Sequence, residues 1–202
     1  SCKFFVIILF LVSFASFFGV KNVKAADDDL IINEVMVGPT DNNTGEFIEL
    51  YNSGDSTVDL ATWYISNRYT DNKDSLKAYS LPIGQLSGTI LYPKSYALIV
   101  DSGYALGYTG EYKDLIDKYI DENTIILTTY DTYLGYRGLS NTIDKVILYD
   151  SLNNPIDEVG WDVTSGWWQN YSYEKHSNGK WYKSLEEKGT PGFENSILQI
   201  KE

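Results

Sequence analysis

Residues 138–161 read Gly-Leu-Ser-Asn-Thr-Ile-Asp-Lys-Val-Ile-Leu-Tyr-Asp-Ser-Leu-Asn-Asn-Pro-Ile-Asp-Glu-Val-Gly-Trp. Two β-rich runs, 145–149 and 156–161, flank a polar turn at 150–155. Valine, isoleucine and tyrosine favour the extended state, and Asn-Asn-Pro continues neither run easily. The stretch predicts a β-hairpin, with Val146, Leu148, Val159 and Trp161 supplying one buried face.

Outward from the hairpin, the chain repeats this pattern of short strand and turn. Strands are expected over 30–37 and 46–51, the first ended by Gly38-Pro39 and a polar turn at 40–45. A third, carrying Val58, Leu60 and Trp63, is expected over 57–66, followed by a polar loop over 67–77 and a short strand near 78–82. Tyr-Ala-Leu-Ile-Val at 96–100 is the most continuous buried-looking strand. Residues 112–121 form the only helical candidate, because Leu115, Ile116, Tyr119 and Ile120 recur at three-to-four spacing. Residues 125–129 read as a strand or an extended cover, 172–175 as a weak last strand, and Gly189-Thr-Pro-Gly192 as a turn. Many short strands with little helix predict an antiparallel sandwich or barrel.

The N-terminus points to export. Residues 4–20 are apolar apart from Ser13, Ser16 and Gly19, and Val23 and Ala25 fit the −3 and −1 positions of a cleavage site. We read 1–25 as a secretory signal peptide, with an uncleaved membrane anchor as the alternative. After cleavage no later stretch could span a bilayer, and the product would be secreted or held in the cell envelope. Cleavage would remove Lys3, Lys21 and Lys24 and no acids, leaving a chain more negative than the −12 of the whole. Such a field disfavours nucleic acid. The single cysteine, Cys2, lies in the leader, so thiol catalysis and cysteine-based zinc sites are excluded from the remainder. Residues 26–29 are a short acidic linker, 30–195 one domain, and 196–202 a C-terminal tail.

Three segments in order carry a resemblance: Ile-Ile-Asn-Glu-Val at 31–35, Gly-Glu-Phe-Ile-Glu-Leu-Tyr-Asn at 45–52 and Val-Asp-Leu-Ala-Thr-Trp-Tyr-Ile at 58–65. They resemble the start of a bacterial-type lamin tail domain, with Ala61-Thr62 standing where Ser-Gly is usual. Residues 96–100, 139–141, 144–148, 156–159 and 190–192 continue the match. The resemblance implies an all-β, immunoglobulin-like antiparallel β-sandwich. Residues 103–133, longer than the family's usual connection, would be an insertion with one short helix covering one end. It also implies an interaction or structural module rather than an enzyme.

Catalytic patterns are sparse. His176 is the only histidine, so no two-histidine metal site exists, and its setting reads as a strand end entering a turn. Glu46 and Glu49 lie three apart on one strand and face opposite sides, so they cannot share a glycosidase cleft. Glu34, Glu49 and Asp157, inside apolar strands, are expected to be hydrogen-bonded structural anchors. Asp41, Asn43 and Glu46 offer hard oxygen ligands around a turn, a candidate Ca²⁺ site, although turn formation alone explains Asp41 and Asn43. The aromatic segment is the most distinctive surface candidate: Trp167, Trp168, Tyr171, Tyr173 and Trp181 could form a binding patch, with packing in the core as the competing role.

The expected function is a non-catalytic, exported binding or scaffolding module whose partner is a protein or a cell-envelope polysaccharide. The alternatives are an accessory module or cation-dependent hydrolase acting on extracellular polymers, and a self-associating structural component of the envelope.

Overall fold

The computed structural model describes residues 29–39, 45–79, 88–101, 120–121, 123–131, 133–163 and 169–199. In chain order these residues form β1 (Leu30–Met36), β2 (Phe47–Asn52), β3 (Val58–Asp59), β4 (Tyr64–Ser66), β5 (Asp74–Ala78) and β6 (Ile90–Leu91). They continue as β7 (Tyr96–Val100), β8 (Ile125–Thr129), β9 (Ile143–Tyr149), β10 (Pro155–Asp162), β11 (Tyr173–Lys175) and β12 (Trp181–Lys183). Ten strands are linked in the order β10-β9-β4-β5-β8-β7-β2-β1-β11-β12, while β3 and β6 form a separate ribbon.

The long sheet curls until β10 lies against β1, where the Ile32 amide donates to Asp157 Oδ2 at 2.9 Å. The result is an all-β, immunoglobulin-like sandwich. Its main core joins Ile32, Ile48, Leu50, Ile99 and Leu127 from one side to Ile65, Leu76, Val146, Leu148 and Trp161 from the other. Burying one such aliphatic side chain contributes about 1.5–3 kcal/mol. A second cluster of Met36, Phe47, Tyr79, Leu98, Val100 and Ile126 covers the outer face of β1, β2, β7 and β8. Burial on both faces explains why β7 reads as an unbroken apolar run rather than an alternating one.

The hairpin forms as expected: Val159 pairs Val146 and Trp161 pairs Asp144 in register, with Val146, Leu148, Val159 and Trp161 all buried. Asp150 organises its turn, accepting from the Leu152 and Asn154 amides at 2.9 and 2.7 Å while Asn153 takes φ 70°. The Trp161 indole donates to the Ser140 carbonyl at 2.7 Å, so the ring is buried without an orphaned N–H.

Several local expectations change. The strand expected over 57–66 is broken by a 3-10 turn, Leu60–Thr62. Asp59 caps that turn by accepting from the Ala61 amide at 3.0 Å, and the chain passes there from the β3–β6 ribbon into the sandwich. The expected loop over 67–77 contains the start of β5, which the polar sequence Asp-Ser-Leu-Lys concealed: only Asp74 and Leu76 of its first four residues are buried. Residues 125–129 are an internal strand, β8, parallel to β7 and antiparallel to β5, not a cover. The helix expected over 112–121 lies outside the described residues apart from Ile120 and Asp121, which are not helical. After Asn195 the chain forms a further 3-10 turn, Ser196–Gln199, with Ile197 fully buried.

Candidate functional site

Three glutamates sit in cross-strand register on one face: Glu34 of β1 lies opposite Glu49 of β2 and Glu174 of β11. All three are fully buried. A carboxylate without water must be hydrogen-bonded or neutral, and here the C-terminal segment supplies most of the donors. Glu34 accepts from Ser172 Oγ and the Thr190 amide, Glu49 from Asn33 Nδ2 and the Gly192 amide, and Glu174 from Ser196 Oγ and the Ile197 amide. Asn195 completes the clasp, donating to the carbonyls of Asn33 and Lys175 at 3.0 and 2.9 Å.

Burial pushes the Glu49 carboxyl up to about 8, aided by Glu174 and opposed by the Gly192 and Asn33 donors. Burial and the two neighbouring glutamates likewise hold Glu34 well above its ordinary value. These residues are the structural anchors that their apolar surroundings suggested. Asp157 is another: it is ion-paired to Lys175 at 2.7 Å where β10 meets β1.

For the candidate calcium site, Asp41 and Asn43 lie outside the described residues. Glu46 is half-buried, and its carboxyl is pushed up to about 8 by burial, then by Asp101 and Asp144. Among the described residues no group of three or more His, Cys, Asp or Glu side chains is arranged to hold a metal. The His176 ring packs edge-on against Tyr182, and its Nδ1 accepts from the Asn178 amide at 3.3 Å in the β11–β12 turn.

The aromatic segment divides. Trp167 and Trp168 lie outside the described residues. Tyr173 is a core residue, corrected from the expected surface patch, because its ring stacks on Trp161 with centroids 6.3 Å apart. Trp181 packs half-buried against the same core, with Lys175 Nζ 5.8 Å from its ring centroid. Tyr171 is half-buried beneath Lys183, whose Nζ stands 3.6 Å from the ring centroid.

A different aromatic surface is built where β4 leads to β5 and where residues 130–138 follow β8. Tyr69 and Tyr136 meet edge to face with centroids 5.4 Å apart. Arg68 lies over Tyr69 at 5.2 Å and Arg137 over Tyr136 at 5.0 Å, giving a row of cation, ring, ring, cation. Nearby, Lys73 lies over Tyr149 at 3.8 Å and Lys77 over Tyr130 at 4.5 Å. Tyr69, Tyr130, Tyr133 and Tyr136 are 41, 70, 54 and 37% exposed.

The sequence places this row by burying Asn67. Its Nδ2 donates to the carbonyls of Tyr136 and Gly138 at 2.9 and 3.0 Å, and its Oδ1 accepts from the Tyr69 amide at 3.1 Å. Gly135, at φ 68°, lies so close that a Cβ would stand 2.8 Å from Asn67 Cβ, which makes glycine necessary there. Leu134 is fully buried and roots the loop in the core. Beneath it Asp74 hydrogen-bonds Asp131 and accepts from the Gly135 amide; burial, then the Asp131 contact, raises Asp74 to about 7. Sequence reasoning passed over this surface, although a signal was present. The only two arginines occur as Arg68-Tyr69 and Tyr136-Arg137.

The model of the Lamin Tail Domain family matches residues 24–162, from before β1 to the end of β10. No curated protein matches the chain significantly. The matched residues carry the hairpin and eight further strands, while β11, β12 and the C-terminal clasp lie beyond them and complete the same sheet. With most of its length covered by that match, the chain belongs to the lamin tail domain family.

Proposed function

We propose that this protein is an exported, non-catalytic binding or scaffolding module that works at the cell surface or outside the cell and meets a protein or an envelope polymer. The family, one of non-catalytic immunoglobulin-like domains, supports a binding or structural role. The observation that carries the reading is the Arg68–Tyr69–Tyr136–Arg137 row: exposed aromatic and guanidinium groups fixed in place before any partner arrives. Tyrosine and arginine are enriched where binding energy concentrates, and a surface already ordered loses less entropy on association. Glu34, Glu49 and Glu174 are committed to the clasp, which suits a structural role for those three.

Trp167 and Trp168, with half-buried Tyr171 and Trp181, remain a second contact in this proposal. Export rests on residues 1–25, and among the described residues no helix is long and apolar enough to cross a membrane. Mass spectrometry of the protein from its producing cells should find a new N-terminus at Ala26; an intact leader would overturn cleavage. The binding reading is tested by passing the purified chain over envelope fractions and immobilised polysaccharides, with and without Ca²⁺. Retention on at least one is expected, and passage through all of them would overturn it.

A further inference from the structure

We propose that the Tyr69/Tyr136 face takes a saccharide that carries both ring hydroxyls and carboxylates, of the uronic acid type. The proposal rests on the binding reading above and names the ligand class for that face.

Three observations combine. A chain with 28 acidic residues places both of its arginines on one small surface. Among the described residues the Arg137 guanidinium has no hydrogen bond or ion pair, only the Tyr136 ring beneath it. A stacked guanidinium with its donors unused is suited to a planar carboxylate, which it can hold through two parallel hydrogen bonds. Arg137 also borders a hollow of about 440 Å³, lined by Asp131, Tyr133, Gly135 and Tyr136 as well, large enough for more than a single small anion.

Asp131 adds an acceptor for a hydroxyl. A group donating O–H there is favoured, whereas a second anionic group in that place would meet its negative charge. The Tyr133 ring, 54% exposed, supplies the flat apolar platform that the C–H face of a pyranose ring needs, beside the Arg137-capped Tyr136. Carboxylate on Arg137, hydroxyl on Asp131 and ring on Tyr133 are thus satisfied together by an acidic sugar. The net charge of −12 opposes long-range attraction of any polyanion, so affinity comes from contact and the association rate is modest.

The anchoring of the loop makes the surface a standing site. Thr129 Oγ1 donates to the carbonyls of Asp131 and Tyr133, and Asn67 holds 136–138 from the other side. Arg137 itself sits at φ 66°, a backbone setting fixed by this tight turn between Gly135 and Gly138.

The test is titration calorimetry of the full chain with polygalacturonate, its methyl-esterified form and poly-glutamate, alongside retention on an envelope fraction. Binding to polygalacturonate is expected to be about tenfold or more tighter than to either comparison polymer. Arg137→Gln and Tyr136→Leu, both exposed changes, should each weaken it by about tenfold with unchanged melting temperature. Equal binding of acid and ester would remove the carboxylate from recognition and overturn the proposal. So would poly-glutamate binding as tightly, which would indicate an acidic protein partner. If polygalacturonate fails to bind while the envelope fraction still retains the chain, the saccharide proposal falls and the binding reading stands. Failure of both overturns both.

Discussion

Glu49 shows how one residue couples packing to pH. Unfolded, its carboxyl ionises near 4.5; in place it ionises at about 8. As pH rises from 4.5 to 8 the unfolded chain releases a proton that the folded chain keeps, so stability falls through that window and levels off above it. Glu46, raised to about 8, and Asp74, raised to about 7, act in the same direction. Thermal melts from pH 5 to 8.5 should therefore show a steadily falling melting temperature, and Glu49→Gln should flatten the slope. A slope unchanged in that variant would mean that Glu49 does not titrate across the window. Gly189 is a second sharp case: at φ 77°, a Cβ there would stand 1.9 Å from Glu34 Oε1. Gly189→Ala should cost roughly 2 kcal/mol or more by denaturant unfolding.

At the scale of elements, the hairpin β9–β10 was legible because its pattern is local. Two β-rich runs and a turn of Asp, Asn and Pro lie within one stretch, and nothing distant overrides them. Asp150 is the residue that closes it, so Asp150→Ala should destabilise the chain by about 1–2 kcal/mol, read as a lower urea midpoint with unchanged slope. β5 was illegible for the opposite reason. Its buried Asp74 is tolerated only because Asp131 and the Gly135 amide meet it from a loop more than fifty residues away in sequence. β12 was missed likewise, since Trp181–Lys183 gains its strand form from pairing with β11 rather than from its own composition. The crowding of aromatics between 161 and 182 was visible but ambiguous, and Tyr173 resolved towards the core by stacking on Trp161.

Across the whole molecule, the sandwich depends on long-range closure. β1 pairs with β2 on one side and β11 on the other, and the three buried glutamates keep these backbone donors only while residues 189–197 lie over them. A chain cut after Asp162, at the end of the family match, should fail to give a cooperative melt. A sharp two-state transition for that fragment would show that the clasp is dispensable. The row of Arg68, Tyr69, Tyr136 and Arg137 is a property of the same scale, because its two halves meet only once β4, β5 and β8 are paired.

The most direct measurement compares retention of Tyr69→Ala/Tyr136→Ala and Trp167→Ala/Trp168→Ala double variants with the parent chain on an envelope fraction. If the arginine–tyrosine row is the main binding surface, the first variant loses about tenfold or more in affinity while its melt stays cooperative, and the second, at the secondary contact, loses less. Full retention of the first variant, with loss confined to the second, would contradict it.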